Sequence, residues 1–234
     1  MTENARLLLV SNSALYGSGY LDHAEGEIRD FLAAVAQVLF VPYALRERDI
    51  YASKVAERLA RMGFQAISVH RAPDPVAAVE STQAIFIGGG NTFRLLKTLY
   101  DQNLMDLIRR RVEDGRLRYM GASAGANVAC PTIRTTNDMP IVEPPSLRAL
   151  ELVPFQINPH YFDPDPNSTL MAETREERLL QFLEENETPV VALREGAMLR
   201  VEHGRVTLKG VAGARIFRRG EAPRELTPGS QLLL

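Results

Sequence analysis

The stretch Tyr119-Met-Gly-Ala-Ser-Ala-Gly-Ala-Asn127 constrains the fold more than any other part of the chain. An apolar run over residues 117–121 leads straight into residues small enough for a tight turn and the start of a helix. Gly121-Ala-Ser-Ala-Gly125 fits the G-x-S-x-G pattern of a strained strand-to-helix turn, where bulky neighbours clash and the serine hydroxyl stands at the top of a sheet. Such a turn aims the first amides of the helix, beginning with Ala124 N–H, at whatever Ser123 attacks. The same five residues equally suit a packing turn, with Gly121 and Gly125 allowing close helix–sheet approach and Ser123 as a helix cap. The rest of the chain has to separate these readings.

Alternation of strand and helix supplies the first discriminator. Residues 6–12 form a continuous apolar run ending in turn formers, as expected of a strand buried on both faces. Further strands are expected at 37–42, 66–70, 84–88 and 117–121, with helices at 21–36, 50–62, 75–80, from 92 to about 100, and 104–113. This order argues for right-handed crossovers and a mostly parallel central sheet with helices on both faces, an α/β architecture whose active sites lie beyond the carboxyl ends of the strands. Both glycine-rich turns, at 88–90 and 121–125, fall there. Beyond the elbow, residues 131–145 read as an ordered irregular excursion. A strand is expected at 155–160, a Pro/Asp-rich loop at 162–168, and a helix at 173–184 that opens with the capping-box pair Thr174 and Glu177. A strand at 190–193, a hairpin around His203-Gly204, and strands at 214–218 and 231–234 complete the chain. The 234 residues contain no repeat or linker, so one domain over 1–234 is expected.

Charge and cysteine usage exclude several classes of partner. The formal net charge is −2, and the longest basic run is Arg109-Arg110-Arg111 on an amphipathic helix, so the electrostatic footprint for nucleic acid is missing. The first apolar run, 7–10, is too short for a signal peptide or a membrane span, so a soluble cytoplasmic protein is expected. The single cysteine, Cys130, cannot form an internal disulfide and reads as a small buried hydrophobe.

A serine nucleophile needs a base, usually histidine oriented by a carboxylate. Of four histidines, His23 reads as a solvated helix residue, His70 precedes an ordinary exit turn, and His203 sits in a hairpin turn. His160 ends a strand just after the elbow and is the best placed. Glu195, at the end of the strand 190–193, is the favoured acidic partner, with Asp138 as the alternative and Asp163 a turn former close to His160. Gly88-Gly89-Gly90 follows a strand and opens a helix, so the amides of Gly89 or Gly90, with Ala124 N–H, can make a two-donor oxyanion hole. Phosphate or dinucleotide binding fits poorly, because Phe93 stands where a third glycine would fall and no Lys-Ser/Thr follows. Asn91 is a candidate for substrate contact and also a natural cap of the following helix.

Gly-Gly-Gly-Asn-Thr-Phe at 88–93, Ser-Ala-Gly-Ala-Asn at 123–127, Cys-Pro-Thr-Ile-Arg-Thr-Thr-Asn-Asp-Met-Pro at 130–140, Gln-Ile-Asn-Pro-His at 156–160 and Glu-Thr-Arg-Glu at 173–176 together resemble peptidase E, the α-aspartyl dipeptidase family of serine peptidases. The resemblance runs from the first strand to near the C-terminus. It implies a flavodoxin-like, class I glutamine-amidotransferase-like fold and hydrolysis of dipeptides with N-terminal aspartate. It carries the nucleophile onto Ser123, the base onto His160 and the acidic member onto Glu195, and implies no cofactor or metal. Amidotransferase relatives carry Cys at the elbow and His-x-Glu, whereas here position 162 is Phe, which argues for a stand-alone hydrolase. Aspartate selectivity demands a cation, and Arg175, with Arg178 as a second candidate, lies in the matching block; a helix-surface network with Glu173, Glu176 and Glu177 is the competing role. A small peptide is thus the expected partner, for a monomer or small homo-oligomer. Other readings are a cyanophycinase-like β-aspartyl peptidase, an esterase on the same scaffold, or a non-catalytic ligand-binding protein.

Overall fold

The computed structural model describes residues 2–33, 35–164, 169 and 171–232. Five strands form the parallel part of the main sheet: β1 (Leu7–Val10), β2 (Gln37–Val41), β3 (Gln65–Ser68), β4 (Ala84–Ile87) and β5 (Arg118–Ala122), in the order β3-β2-β4-β5-β1. The connections hold α1 (Glu25–Leu32), α2 (Arg48–Arg61), α3 (Pro75–Ser81), α4 (Thr92–Asp101) and α5 (Met105–Glu113), and β5 runs into the single-turn helix α6 (Ala124–Asn127). After an irregular segment come β6 (Gln156–Tyr161), α7 (Arg175–Glu185), β7 (Val190–Arg194), β8 (Ala197–Glu202), β9 (Arg205–Gly210), β10 (Ala214–Phe217) and β11 (Arg224–Leu226).

Apolar runs without a polar face become strands covered on both sides, and alternation then sorts their side chains. Leu7 and Leu9 of β1 share a core with Leu95, Leu96 and Leu99 of α4 and Ile108 and Val112 of α5. Leu8 and Val10 face the other way, onto Ile28, Phe31 and Leu32 of α1 and Val55 and Leu59 of α2. The sheet is therefore the middle layer of three. No helix of the described residues is long and apolar enough to cross a membrane.

The mostly parallel central sheet with helices on both faces is as expected, and the structure adds a second, smaller sheet. β8 and β9 extend the main sheet as an antiparallel hairpin beside β1, giving seven mixed strands, whereas β6 and β7 belong to a second sheet of order β11-β10-β7-β6. With β8 occupying the edge next to β1, the strands leading to His160 and Glu195 have no place in the main sheet. They pair in parallel with each other instead, and β10 and β11 add antiparallel. The inner face of this sheet, through Ile157, Val191, Leu193 and Ile216, joins the core on the α4–α5 side. Its outer face packs Val190, Ala192 and Phe217 against Leu179 and Leu183 of α7.

Smaller differences have local causes. The first helix is split into a 3-10 turn, Asp22–Ala24, and α1, which stops at Leu32. The third strand ends at Ser68, and His70 lies in the 3-10 turn Val69–Arg71, its ring bonded to Ser68 Oγ at 2.6 Å and Asp49 Oδ1 at 3.1 Å. β11 was not anticipated, its Arg224-Glu225 carrying no apolar signal. Of the expected strand at 231–234, Gln231 makes a single bridge to Thr207, and Leu233 and Leu234 lie outside the described residues. The capping box of Thr174 and Glu177 opens α7 as expected.

The elbow glycines answer to space. A methyl on Gly125 would lie 2.1 Å from Ile87 O of β4, and one on Gly121 would lie 2.4 Å from Gly125 O. Buried Tyr119 donates its hydroxyl to Gly125 O at 2.6 Å, locking α6 to β5. Gly125→Ala is therefore expected to destabilise by about 1–3 kcal/mol or more in urea unfolding, because backbone must move. Gly26→Ala, in α1 with nothing within 4 Å of the added methyl, is expected to leave stability unchanged or raise it by up to about 1 kcal/mol.

Candidate active site

Ser123 sits between β5 and α6 with φ 52° and ψ −109°, a backbone conformation that costs a non-glycine residue roughly 1–3 kcal/mol. The tight elbow geometry holds it there and lifts its side chain beyond the strand ends. Its Oγ lies 3.0 Å from His160 Nε2, and His160 Nδ1 lies 2.8 Å from Glu195 Oε1. In the tautomer with the proton on Nδ1, the imidazole donates to the Glu195 carboxylate and accepts from the Ser123 hydroxyl. The side chains of His160 and Glu195 are 37% and 52% exposed, so their pairing orients the ring more than it stabilises the fold. Chemically, the arrangement can deprotonate an alcohol and hold the resulting imidazolium beside an anion.

His160 is held by an unusual edge. β6 is the outermost strand of its sheet, so the hydrogen bonds on its free side must come from elsewhere. The segment following Ser123 supplies them. Asn127 Nδ2 and Thr135 Oγ1 both donate to Ile157 O, at 2.7 and 2.8 Å, and Ile157 N–H donates to Cys130 Sγ at 3.2 Å. Asn137 Nδ2 donates to Pro159 O at 2.8 Å, and Asn158 Nδ2 donates to Thr135 O and Asn137 Oδ1. Cys130 is thus fully buried and structural, and burial pushes its thiol far above the ordinary range. The 130–140 block is a clamp between the elbow that bears Ser123 and the strand that bears His160.

The carboxylate alternatives separate cleanly. Asp138 Oδ2 accepts from Thr92 N–H at 2.7 Å, Thr92 Oγ1 at 2.5 Å and Thr136 Oγ1 at 3.2 Å, stitching the excursion to the start of α4. Glu195, not Asp138, is the carboxylate beside His160. Asp163 takes two hydrogen bonds from Arg194, at 2.8 and 2.9 Å, which hold its carboxyl below the usual range. Asp165, the other acid of that loop, lies outside the described residues, as do residues 166–168.

Gly89 packs against the serine, a methyl there falling 3.1 Å from Ser123 Cβ, and Gly90 has φ +134° with Ala44 O blocking any side chain. Among the described residues neither amide is paired with a backbone carbonyl, and Ala124 N–H, the first of α6, has no intrahelical acceptor. Asn91 is engaged as a cap: Oδ1 accepts from Arg94 N–H at 3.0 Å, and Nδ2 donates to Met139 O at 2.8 Å.

The two arginines differ. Arg178 pairs with Glu173 on the exposed face of α7. Arg175 lies over the Phe162 ring at 5.0 Å, and its Nε and Nη1 are buried with no hydrogen-bond partner among the described residues. The glutamates named as its competing partners are engaged elsewhere: Glu173 with Arg178 and Gln181, Glu176 with Arg215 and the Tyr161 hydroxyl, Glu177 with Thr174. Burial lowers the Arg175 pKa, helped by nearby Arg178 and opposed by Asp138.

Two neighbours of the site were not singled out in the sequence, and a third, His23, was misplaced. Ser11 and Asn12 read as turn formers, and only their place at the carboxyl end of β1 could have marked them. His23 was expected in solvent. Instead both its ring nitrogens are buried, and neither completes a hydrogen bond among the described residues, although the Asn12 backbone, Asp22 and Glu195 act on its charge. Burial lowers its pKa. Among the described residues no three His, Cys, Asp or Glu side chains converge as a metal site would need.

Known proteins agree with this architecture. A solved peptidase from an acI-B1 actinobacterium superposes over 100% of this chain and 99% of its own, with a TM-score of 0.68 at 16% identity, a likeness of fold. "Peptidase E" of Streptomyces coelicolor is 57% identical over 226 residues, 97% of this chain and 93% of the relative. A Drosophila melanogaster protein named "Probable alpha-aspartyl dipeptidase" is 47% identical over 234 residues, 99% of this chain and 98% of the relative. The model of peptidase family S51 matches residues 7–209. The chain therefore belongs to peptidase family S51 and is a hydrolase of peptide bonds.

Proposed function

We propose that the protein is a serine dipeptidase that cleaves dipeptides with N-terminal aspartate, using Ser123 as nucleophile, His160 as base and Glu195 as its orienting acid. The observation that carries the substrate side of this reading is Arg175, a cation with two buried nitrogens that have no partner among the described residues, in a region where Glu173, Glu176 and Glu177 are already engaged. An unpaired buried donor set of this kind is costly unless a ligand fills it, and a planar guanidinium suits a carboxylate bidentately. The side-chain carboxylate of a substrate aspartate meets that demand. Similarity to a relative named for α-aspartyl dipeptides supports the same substrate class.

In the mechanism, Ser123 Oγ attacks the peptide carbonyl carbon while His160 Nε2 takes the hydroxyl proton. Glu195 stabilises the imidazolium through Nδ1–H. The oxyanion of the tetrahedral adduct is held by Ala124 N–H together with Gly89 or Gly90 N–H, donors that are fixed before the charge develops. His160 returns the proton to the leaving amine, the C–N bond breaks, and the second residue departs with a free amino group. Water, deprotonated by His160, then attacks the ester and releases aspartate. The net reaction consumes one water per peptide bond.

Two predictions test the assignment. On Asp-Leu, Ser123→Ala and His160→Ala are each expected to lower kcat by at least about 10⁴-fold, because members of such a set act as a unit. Glu195→Gln is expected to cost roughly 10²- to 10⁴-fold, and Asp138→Asn less than about tenfold, since the amide keeps one acceptor for Thr92. A larger loss for Asp138→Asn than for Glu195→Gln in steady-state kinetics reverses the carboxylate assignment. On a panel of Asp-Leu, Asn-Leu, Glu-Leu and β-Asp-Leu, Arg175→Gln is expected to reduce the preference for Asp-Leu over Asn-Leu by roughly 10²-fold or more. Arg175→Lys restores little of it, having no fork to match the carboxylate. Unchanged selectivity removes Arg175 from the site, and faster cleavage of β-Asp-Leu redirects the substrate.

A further inference from the structure

Three consecutive residues at the end of β1 each accept a hydrogen bond from the backbone of a different part of the site. Ser123 N–H donates to Val10 O at 2.9 Å. His160 N–H donates to Ser11 Oγ at 2.9 Å. Gly196 N–H, next to Glu195, donates to Asn12 Oδ1 at 2.7 Å. Ser11 and Asn12 are buried, with 0% and 1% exposure, which is uncommon for polar residues unless their hydrogen bonds are met internally.

The place of Ser11 has a specific cause. β6 and β7 pair residue for residue from Gln156 with Val190 to Asn158 with Ala192, then the register shifts, and Tyr161 faces Arg194. Pro159 and His160 together oppose Leu193 alone, a bulge of the kind that re-aims a side chain beside an active site. His160 there has φ 54°, a left-handed conformation that swings its imidazole off the strand direction. The irregularity leaves His160 N–H and Leu193 O without each other. The Ser11 hydroxyl stands between them, accepting from His160 N–H and donating to Leu193 O at 2.9 Å. One side chain thus replaces a missing rung of the ladder and does so from the other sheet.

Asn12 does the matching task for the acid. Glu195 and Gly196 form the turn from β7 to β8, with Gly196 at φ +87°. Asn12 Oδ1 holds the Gly196 amide, while its Nδ2 donates to Ala14 O at 2.7 Å and keeps the carboxamide from rotating. Ser11 N–H donates to Ala197 O at 3.0 Å, a second tie to the same turn.

We propose that Ser11 and Asn12 are positioning residues, which set His160 and Glu195 against Ser123 through the hydrogen bonds from His160 N–H to Ser11 Oγ and from Gly196 N–H to Asn12 Oδ1. Neither touches the reacting atoms. The inference rests on the reading of Ser123 as nucleophile but not on the choice of aspartyl substrate. Without the Ser11 hydroxyl, the bulge loses the contact that holds His160 in its left-handed conformation, and the imidazole drifts from the serine. Without the Asn12 carboxamide, the turn that presents Glu195 loosens.

The test uses two readouts on the full chain, each normalised to folded protein: kcat and KM for Asp-Leu, and the rate at which a fluorophosphonate labels Ser123. Ser11→Ala is expected to lower kcat and the labelling rate together by about 10- to 100-fold, with KM within about twofold, the pattern of misaligned reacting groups. Ser11→Thr, which keeps the hydroxyl, is expected to recover both to within about threefold. If the added methyl prevents folding, Ser11→Cys takes its place, and its weaker hydrogen bonding yields an intermediate rate. Asn12→Ala is expected to lower kcat by about tenfold or more with KM again little changed. A Ser11→Ala enzyme with wild-type kcat and labelling rate overturns the proposal, as does a loss that neither Thr nor Cys relieves. A wild type that is labelled at Ser123 but leaves Asp-Leu intact overturns the substrate reading alone, and labelling still tests Ser11. A wild type that is neither labelled nor active overturns both.

Discussion

A strand with no neighbour on one side carries the imidazole, and much of the site follows from how that open edge is closed. Buried amides and carbonyls on such an edge need partners as surely as those inside a sheet. The partners here are side chains of the segment leaving the elbow, with Asn127, Cys130, Thr135 and Asn137 taking the place of a strand. The segment that leaves Ser123 therefore also fixes the register of the strand that bears His160. The irregular, polar stretch of 130–140 is thus tied down by its side chains instead of by backbone pairing.

The second sheet depends on a different kind of order. Arg194 holds Asp163 and Glu225, and Arg215 holds Glu176 and the Tyr161 hydroxyl, so the exits of β6 and β7 and the start of α7 are drawn into one charged cluster. Each pair is partly exposed and worth little alone. Collectively they engage Asp163, Glu176 and Glu225. Arg175 is what remains, flanked by Phe162, which adjoins the held Asp163, and by Glu176, which is itself held. The proposed recognition of a substrate carboxylate rests on this arrangement, in which Arg175 differs from a surface arginine only in what surrounds it.

Legibility from the sequence varied with the kind of signal. The alternation of apolar runs with amphipathic segments located β1 to β5 and α1 to α5, because strands covered on both faces leave an unmistakable run of Leu, Ile, Val and Phe. Ser123, His160 and Glu195 were legible as strand-end residues beside glycine or polar turns, and the structure brings them together. What could not be read was which sheet β6 and β7 join, since pairing partners are a property of the assembled edge and not of the strand. His23 was misjudged for a related reason: its helix is short and its ring points inward, against the Asn12 backbone. Ser11 and Asn12 looked like ordinary strand terminators, and their hydrogen bonds span 149 and 184 residues. Long-range use of a short polar side chain leaves no local trace.

The passage from β7 to β8 takes only Glu195 and Gly196, yet those strands lie in different sheets. Two residues give the chain almost no slack. One of the two short links between the sheets therefore runs through the residue that bears the carboxylate, and the other, residues 211–213, joins β9 to β10. A cut in the backbone at His203-Gly204, within a hairpin of one sheet, would release a loop. The same cut at Glu195-Gly196 would sever one of these two short covalent tethers between the sheets, and it would do so at the residue whose carboxylate meets His160.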